Sequence, residues 1–290
     1  MKYILLTVIG LIWGSQFVLN ELILEGFSPM GLTSWRMFFG FLTLSLLILL
    51  IPSERKKGLG LTLKLFGLLV AVGLTEAAAP FLLISYAQMH IDSSVTSMII
   101  GSIPIFTILL HTYVSKTHKI TINEVVGMAI AFSGLIVLLL PHVVTFSGTI
   151  LAYGAVFLAS ITFSISFLLL DKIPHSISAL HTSRFILFIY SIPFMIYWVV
   201  FDTKPIPYDA SHWLYLATLG VFASGFVYVL YIYLVRLAGP TFTSLSNYVV
   251  PLFGTFLGIF VLNEKFTTNI VVALTCIVIG LVTINLPTKR

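Results

Sequence analysis

The stretch GLTEAAAPFLL places a carboxylate, Glu76, in a run with no other Lys, Arg, Asp or Glu between Leu65 and His90. If the surroundings are a bilayer, an ionised side chain there costs about 2.5 kcal/mol or more, so it should face a cavity or a partner. Two chemistries fit: taking up and releasing a proton, or anchoring the amine of a solute. A structural hydrogen bond, or an ion pair with Arg36, would occupy the same group without either chemistry. Arg36, inside another apolar segment, could hold a solute carboxylate through two parallel hydrogen bonds or extend its head to the interface. Arg184 reads as the second kind.

Polar side chains recur around these charges at helical spacing. Ser224, Tyr228 and Tyr231 follow i, i+4, i+7, and Ser244, Asn247 or Tyr248, Pro251 and Thr255 do so in the next segment. Ser97, Pro104, Thr107 and His111 echo the pattern earlier, while Trp13, Gln16 and Asn20, and then Ser160 and Ser164, supply two more stripes. Any one hydroxyl is well explained as a hydrogen bond holding two helices together. As a converging set they are expected to line a cavity with aromatic walls, suited to a small amphiphilic solute. Glu76, Arg36, Trp13, Gln16, Asn20, Tyr228, Tyr231, Asn247 and Tyr248 are the expected contacts to solute or coupling ion. Ser97, Ser160, Ser164, Ser224 and Ser244 are the expected polar wall. Pro104 and Pro251 are expected hinges, because proline removes a backbone bond and bends its helix.

The composition says what positions these residues. Of 290 residues, 59% are hydrophobic and 9% charged, and the mean hydropathy is +1.10. A soluble domain is about 25% charged, so this is an all-α integral membrane protein. A net charge of +5 is too small to suggest nucleic acid. The single cysteine, Cys276, offers no disulfide or redox pair, and the histidines form no metal-ligand pattern. No cofactor, metal site or catalytic residue is expected, and the short loops leave no room for a soluble catalytic domain. The expected partners are the bilayer, a small-molecule solute and protons, with the chain a monomer or a homodimer.

A spanning helix needs about 20 apolar residues, and that ruler predicts ten: 3–20, 30–51, 65–87, 93–113, 124–141, 148–170, 180–201, 212–235, 241–262 and 268–286. The opening MKYILLTVIGLIWGS reads as the first of them rather than as a signal peptide, because no small-x-small site follows and the apolar character continues. With the N-terminus inside, Lys2, Arg55, Lys56, Lys57, Lys64, Lys116, Lys119, Lys172, Arg236, Lys289 and Arg290 collect on one side, leaving Lys204 and Lys265 on the other. That bias puts both termini in the cytoplasm; the expected location is the plasma membrane of a prokaryotic cell, crossed many times. Glu21, Glu25, Asp92, Asp202, Asp209 and Glu264 fall on the outer side and read as solvated loop charge.

The chain also repeats itself. AAAPFLLISYAQMHIDSSVTSMIIGSIP, shifted by 147, meets SGFVYVLYIYLVRLAGPTFTSLSNYVVP without a gap, so Tyr86 falls on Tyr233, Ser97 on Ser244 and Pro104 on Pro251. Gly134 then meets Gly280, and upstream Arg36 can be laid on Arg184. Glu76 falls on Ala223, so the repeat does not require it. Two five-helix halves, 1–141 and 148–290, enter the membrane from opposite sides, an inverted repeat of the sort found in secondary transporters. No Walker-type phosphate loop is present, so transport would be passive or ion-driven.

The opening GLIWGSQFVLNELILEGFSPMGLTSWRMFFG, with Trp13, Gly14, Ser15, Pro29 and Arg36, resembles that of EamA-type carriers of the drug/metabolite transporter superfamily. LVRLAGPTFTSLSNYVVPLFGTFLGIFVLNEKFTTN is similar to the same family's later signature, with Pro251 and Glu264 in place. One departure is that the first half carries His118 where the second has Glu264. The resemblance covers nearly the whole chain and implies ten helices in an inverted repeat and movement of small metabolites. The expected function is export of amino acids or similar amphiphilic solutes by alternating access, with protons as the candidate coupling ion. Multidrug efflux, an uptake carrier of the same fold, and a non-transporting membrane scaffold are the alternatives.

Overall fold

The computed structural model describes residues 1–58, 60–115, 120–144, 150–204, 209–284 and 286. Lys116, His118, Lys119, Lys289 and Arg290, and the expected start of the second half at 148, lie outside the described residues. Those described form helices and turns, with no strand among them. Long apolar segments take this form because a helix satisfies every backbone polar group within itself.

The chain opens with α1 (Lys2–Leu24) and α2 (Pro29–Leu50). Ser28 starts α2 by accepting the Gly31 N–H, with Pro29 in the first turn. A single turn, α3 (Pro52–Arg55), leads to α4 (Leu63–Gly73), which passes through a π-helical segment, Leu74–Ala78, into α5 (Ala79–Ala87). Then come α6 (Ser93–Ile100), α7 (Ile103–Ser115) and α8 (Ile122–Val144). The second half holds α9 (Ile150–Leu170), α10 (Ala179–Phe201) and α11 (Ala210–Gly220). A second π segment, Val221–Phe226, leads to α12 (Val227–Ser244), followed by a 3-10 turn, Leu245–Tyr248, α13 (Val249–Leu262) and α14 (Thr268–Ile284).

Lys2–Leu24, Pro29–Leu50, Leu63–Ala87, Ser93–Val114, Ile150–Leu170, Ala179–Phe201 and Ala210–Leu262 are long and apolar enough to cross a membrane. Ile122–Gly134 and Thr268–Ile284 are shorter apolar helices. Ala210–Leu262 has 53 residues, well beyond the about 20 that one crossing needs. It breaks at Gly239, whose φ of 83° and ψ of 168° suit glycine alone, and Pro240 follows. Gly239→Ala is therefore expected to cost about 1–3 kcal/mol, read as a lower melting temperature in detergent. An unchanged melting temperature would mean the break does not depend on glycine.

Packing follows the internal repeat. Each of α2 and α8 lies against its own repeat mate, α10 and α14. The rod of α6 and α7 packs on α9 much as α13 packs on α1, and α5 meets α9 as α12 meets α1. The GxxxG glycine Gly254 is used inside this bundle, pressed against Gly14 and Ser97. Irregularities are repeated too. The π segments at 74–78 and 221–226 start 147 residues apart, the same shift that aligns the sequences. Pro104 follows the Gly101–Ser102 turn that separates α6 from α7, and Pro251 follows the 3-10 turn. Large apolar side chains such as Leu63, Phe256 and Phe260 stay exposed on the outside, as a lipid-facing surface requires.

Candidate functional site

The π segments create the site. A π turn passes hydrogen bonds one residue further along, so carbonyls at its edge lose their α-helical donors. In the second half the Val227 N–H goes to Phe222 O, which takes it from Ala223 O. In the first half Ala79 N–H goes to Leu74 O, and Pro80 has no N–H to give to Glu76 O. Two of the freed carbonyls, Glu76 O and Ala223 O, are claimed by the opposite half. The Tyr228 hydroxyl donates to Glu76 O at 2.9 Å, and Arg36 Nη2 approaches Ala223 O at 3.5 Å.

Arg36 is 1% exposed, and polar neighbours surround its guanidinium. Nε donates to Ser224 Oγ at 2.8 Å and Nη2 to Gln16 Oε1 at 2.6 Å. Its carbon Cζ lies 3.7 Å from the centre of the Phe81 ring, a cation–π contact that is strong when desolvated. Glu76, also 1% exposed, accepts from the Ser166 hydroxyl and from the Tyr231 hydroxyl at 3.2 Å, both on Oε2. Oε1 is buried and has no donor. The Glu76–Arg36 ion pair open on sequence grounds does not form: the two groups bond to different residues and share no polar partner. Each charge is thus held by neutral groups, which stabilise it less than a counter-ion would. The changes Glu76→Gln and Arg36→Gln are accordingly expected to alter melting free energy additively, within about 0.5 kcal/mol. A larger coupling in a double-mutant cycle would restore the ion pair.

Gln16 and Tyr228, which bond Arg36 and the Glu76 carbonyl, also line a small cavity with Trp13, Phe81, Ile100, Ile103, Phe163, Phe167 and Asn247. Its walls interlock edge to face: Trp13 and Tyr231 centroids are 5.0 Å apart, Phe167 and Tyr231 5.1 Å, and Phe81 and Tyr228 6.4 Å. The space left is about 20 Å³, enough for a water, whereas small-molecule sites usually span about 300–1,000 Å³. The cavity as it stands is too small to hold such a solute.

Of the residues expected from sequence, Trp13, Gln16, Tyr228 and Asn247 line this space; Arg36 bonds to Gln16 and Ser224, the Glu76 carbonyl takes the Tyr228 hydroxyl, and Tyr231 joins the Glu76 carboxylate to the Trp13 ring. Asn20 lies elsewhere: its amide donates to Gln88 Oε1 at 2.9 Å, and Gln88 in turn donates to Phe17 O. Ser160 and Ser164 donate across to the Ile99 and Ile103 carbonyls and hold two helices together, whereas Ser97 and Ser244 donate three residues back within their own helices; none of the four is in the cavity wall. Tyr248 is buried with its hydroxyl unpartnered, outside the lining set. Glu264 and Glu21 are not solvated loop charges. Glu264 accepts the Ser93 N–H at 2.9 Å, the Ser93 hydroxyl at 2.5 Å and the Ser94 N–H at 3.2 Å, capping α6 from the other half. Glu21 shares the Ser93 N–H at 3.1 Å.

Sequence reasoning missed Ser166, Phe81, Phe163 and Phe167. Ser166 sits two residues past Ser164, off the stripe that drew attention. Phe81 had a usable signal, since the repeat lays it on Tyr228, 147 positions later.

The model of the EamA-like transporter family matches residues 1–140 and again 150–286. An uncharacterized transporter of Bacillus subtilis (strain 168), YoaV, is 21% identical over 280 residues, covering 94% of this chain and 92% of that protein. An uncharacterized transporter of Archaeoglobus fulgidus is 27% identical over 171 residues, 59% of each chain. One solved crystal structure superposes with a TM-score of 0.73 at 15% identity, over 98% of this chain and 96% of the other, a likeness of fold.

Proposed function

We propose, from the premise that the chain belongs to the EamA-like transporter family, that it is a secondary transporter exporting small amphiphilic solutes, amino acids among them. It crosses the plasma membrane of a prokaryotic cell ten times, as two inverted five-helix halves (1–141 and 148–290) with both termini in the cytoplasm. The bias of lysine and arginine supports that orientation. The repeated π segments and paired proline irregularities support the inverted repeat.

One observation carries the functional reading. Two fully buried charges, Arg36 and Glu76, belong to the first half, and much of their hydrogen bonding comes from the second: Ser224 and Ala223, and Ser166, Tyr228 and Tyr231. Halves that rock against each other must break and remake these bonds, so the state of the charges is tied to the conformation. Solute enters when the walls of Trp13, Gln16, Tyr228 and Asn247 part; Pro104 and Pro251 provide the bends about which they move. Glu76 carries the coupling proton, because taking one up removes the cost of an unpaired buried carboxylate.

The experiment is efflux from proteoliposomes loaded with mixed amino acids, nucleobases and cationic drugs, followed by mass spectrometry. Release of a defined amphiphilic subset above protein-free liposomes is expected. Release of cationic drugs alone would give the protein to multidrug efflux, and no release of any class would remove the exporter reading.

A further inference from the structure

The bundle carries two membrane-facing crevices, one at each end, and they are repeat mates. One is walled by Leu82, Leu83 and Tyr86 of α5, the other by Val229, Leu230 and Tyr233 of α12, matched pairwise by the shift of 147. Both are closed on their flanks by ends of α2 and α10, and they enclose about 530 and 660 Å³. Their charges differ. The first has Asp202 at its rim; the second has Lys57, Glu54 and Arg236. Arg236 stands where the first half has Met89, so symmetry of the fold does not account for it.

Arg236 is incompletely satisfied. Nη1 donates to Ile177 O at 2.6 Å, whereas Nε and Nη2 are shielded from solvent and have no acceptor. Leaving such donors unmatched is costly, and the Nε–Nη2 edge is the one that grips phosphate through two parallel hydrogen bonds. Glu54 makes no bond to it: Oε1 takes the Lys57 ammonium at 2.6 Å, and Oε2, buried without a hydrogen bond, lies 3.9 Å from His181 Nε2. The apolar wall beside it is open to the outside, with Tyr233 45% and Phe226 41% exposed, and joins the lipid-facing surface.

We propose that this crevice binds one anionic phospholipid, its phosphate on the Nε–Nη2 edge of Arg236 and an acyl chain along Val229, Leu230 and Tyr233. Seating it requires the side chains over that edge to shift. The charge complementarity selects an anionic headgroup, and the exposed apolar wall selects a lipid over a soluble phosphate. In the proposed orientation the crevice opens to the cytoplasmic leaflet, where the basic residues gather. Phe226, in its wall, closes the π segment whose Ala223 carbonyl faces Arg36. A bound lipid therefore abuts the segment that must rearrange, without touching the solute cavity.

The test is thermal unfolding of the detergent-solubilised full chain, titrated with phosphatidylglycerol, phosphatidylcholine of the same chains, or inorganic phosphate. Phosphatidylglycerol is expected to raise the melting temperature saturably, with an apparent affinity at least about tenfold above that of phosphatidylcholine, and phosphate alone to do nothing. Arg236→Gln is expected to bring phosphatidylglycerol down to the phosphatidylcholine level. Leu230→Trp, which fills the crevice and leaves the charge alone, should abolish the preference as well. Equal response to the two lipids in the wild type, or a preference that survives either change, overturns the proposal, as does a full effect of phosphate alone. Should Arg236→Gln fail to fold, native mass spectrometry of the wild type and Leu230→Trp decides: one retained phosphatidylglycerol is expected in the former and none in the latter, and equal retention refutes the site.

Discussion

Glu76→Gln is expected to uncouple transport from the proton gradient while leaving the protein folded. The amide keeps the shape of the side chain and can still accept from Ser166 and Tyr231, the two donors on Oε2. It cannot carry a proton through the cycle. At one proton per solute, each unit of pH difference is worth about 1.4 kcal/mol, a tenfold concentration ratio at steady state. Wild-type proteoliposomes should therefore build about a tenfold solute gradient per pH unit, and the mutant should settle at equal concentrations on both sides. Stability should stay near level, because the cost of a buried charge disappears while the amide nitrogen takes the place of the unmatched Oε1 and leaves that spot unsatisfied. A mutant that still builds the wild-type gradient would make Glu76 structural.

The second large effect is expected at Arg36, where charge and shape can be separated. Arg36→Lys keeps the charge but not the fork. One ammonium cannot reach Ser224 and Gln16 together in the geometry that spaces Nε from Nη2, and it loses the flat stacking on Phe81. A loss of about 2–4 kcal/mol in unfolding free energy is expected, from one charge-assisted hydrogen bond and part of the cation–π contact. Arg36→Met strands the Gln16 and Ser224 oxygens but also removes a buried cation with no carboxylate beside it, so its loss should be smaller than that of lysine. Efflux should fall by at least about tenfold in both, because lysine cannot hold Gln16 of α1 and Ser224 of the second π segment at once and methionine holds neither. Denaturation in detergent and efflux in liposomes measure the two quantities. Wild-type stability and efflux in Arg36→Lys would mean that the fork geometry is irrelevant.

Much of the architecture was legible because each signal was long and redundant. Apolar segments of spanning length, the turn residues between them and a gapless repeat each pointed to helices in two related halves, and the family match spans both. Glu76 and Arg36 were legible for the opposite reason, as single charges where none is cheap. What the sequence could not give was their pairing. Glu76 and Arg36 looked like partners because opposite charges attract, yet tertiary packing sends each to neutral groups contributed by distant helices. The serines illustrate the same limit: Ser97, Ser160, Ser164, Ser166, Ser224 and Ser244 are chemically alike, and only the packing shows that Ser166 and Ser224 meet charges while the others meet backbone. The π segments were invisible for a further reason. LTEAA and VFASGF share no residue type that demands a π turn, and only Pro80 hints at a missing hydrogen bond. Glu264 read as loop charge because its partner, the N-terminus of α6, lies 171 residues away.

The central claim is that the cavity walled by Gln16 and Tyr228, the partners of Arg36 and the Glu76 carbonyl, opens to the two sides of the membrane in turn. Cys276 is the one native cysteine, so a Cys276→Ser background permits a single reporter at Asn247→Cys, in the cavity wall. The most direct measurement is the rate at which membrane-impermeant thiol reagents, added separately to each face of oriented vesicles, label that cysteine. Labelling from both faces is expected, slowed in each case by a transported solute and restricted to one face by Arg36→Lys. Labelling from neither face, or from one face at a rate indifferent to solute, would contradict alternating access at this cavity.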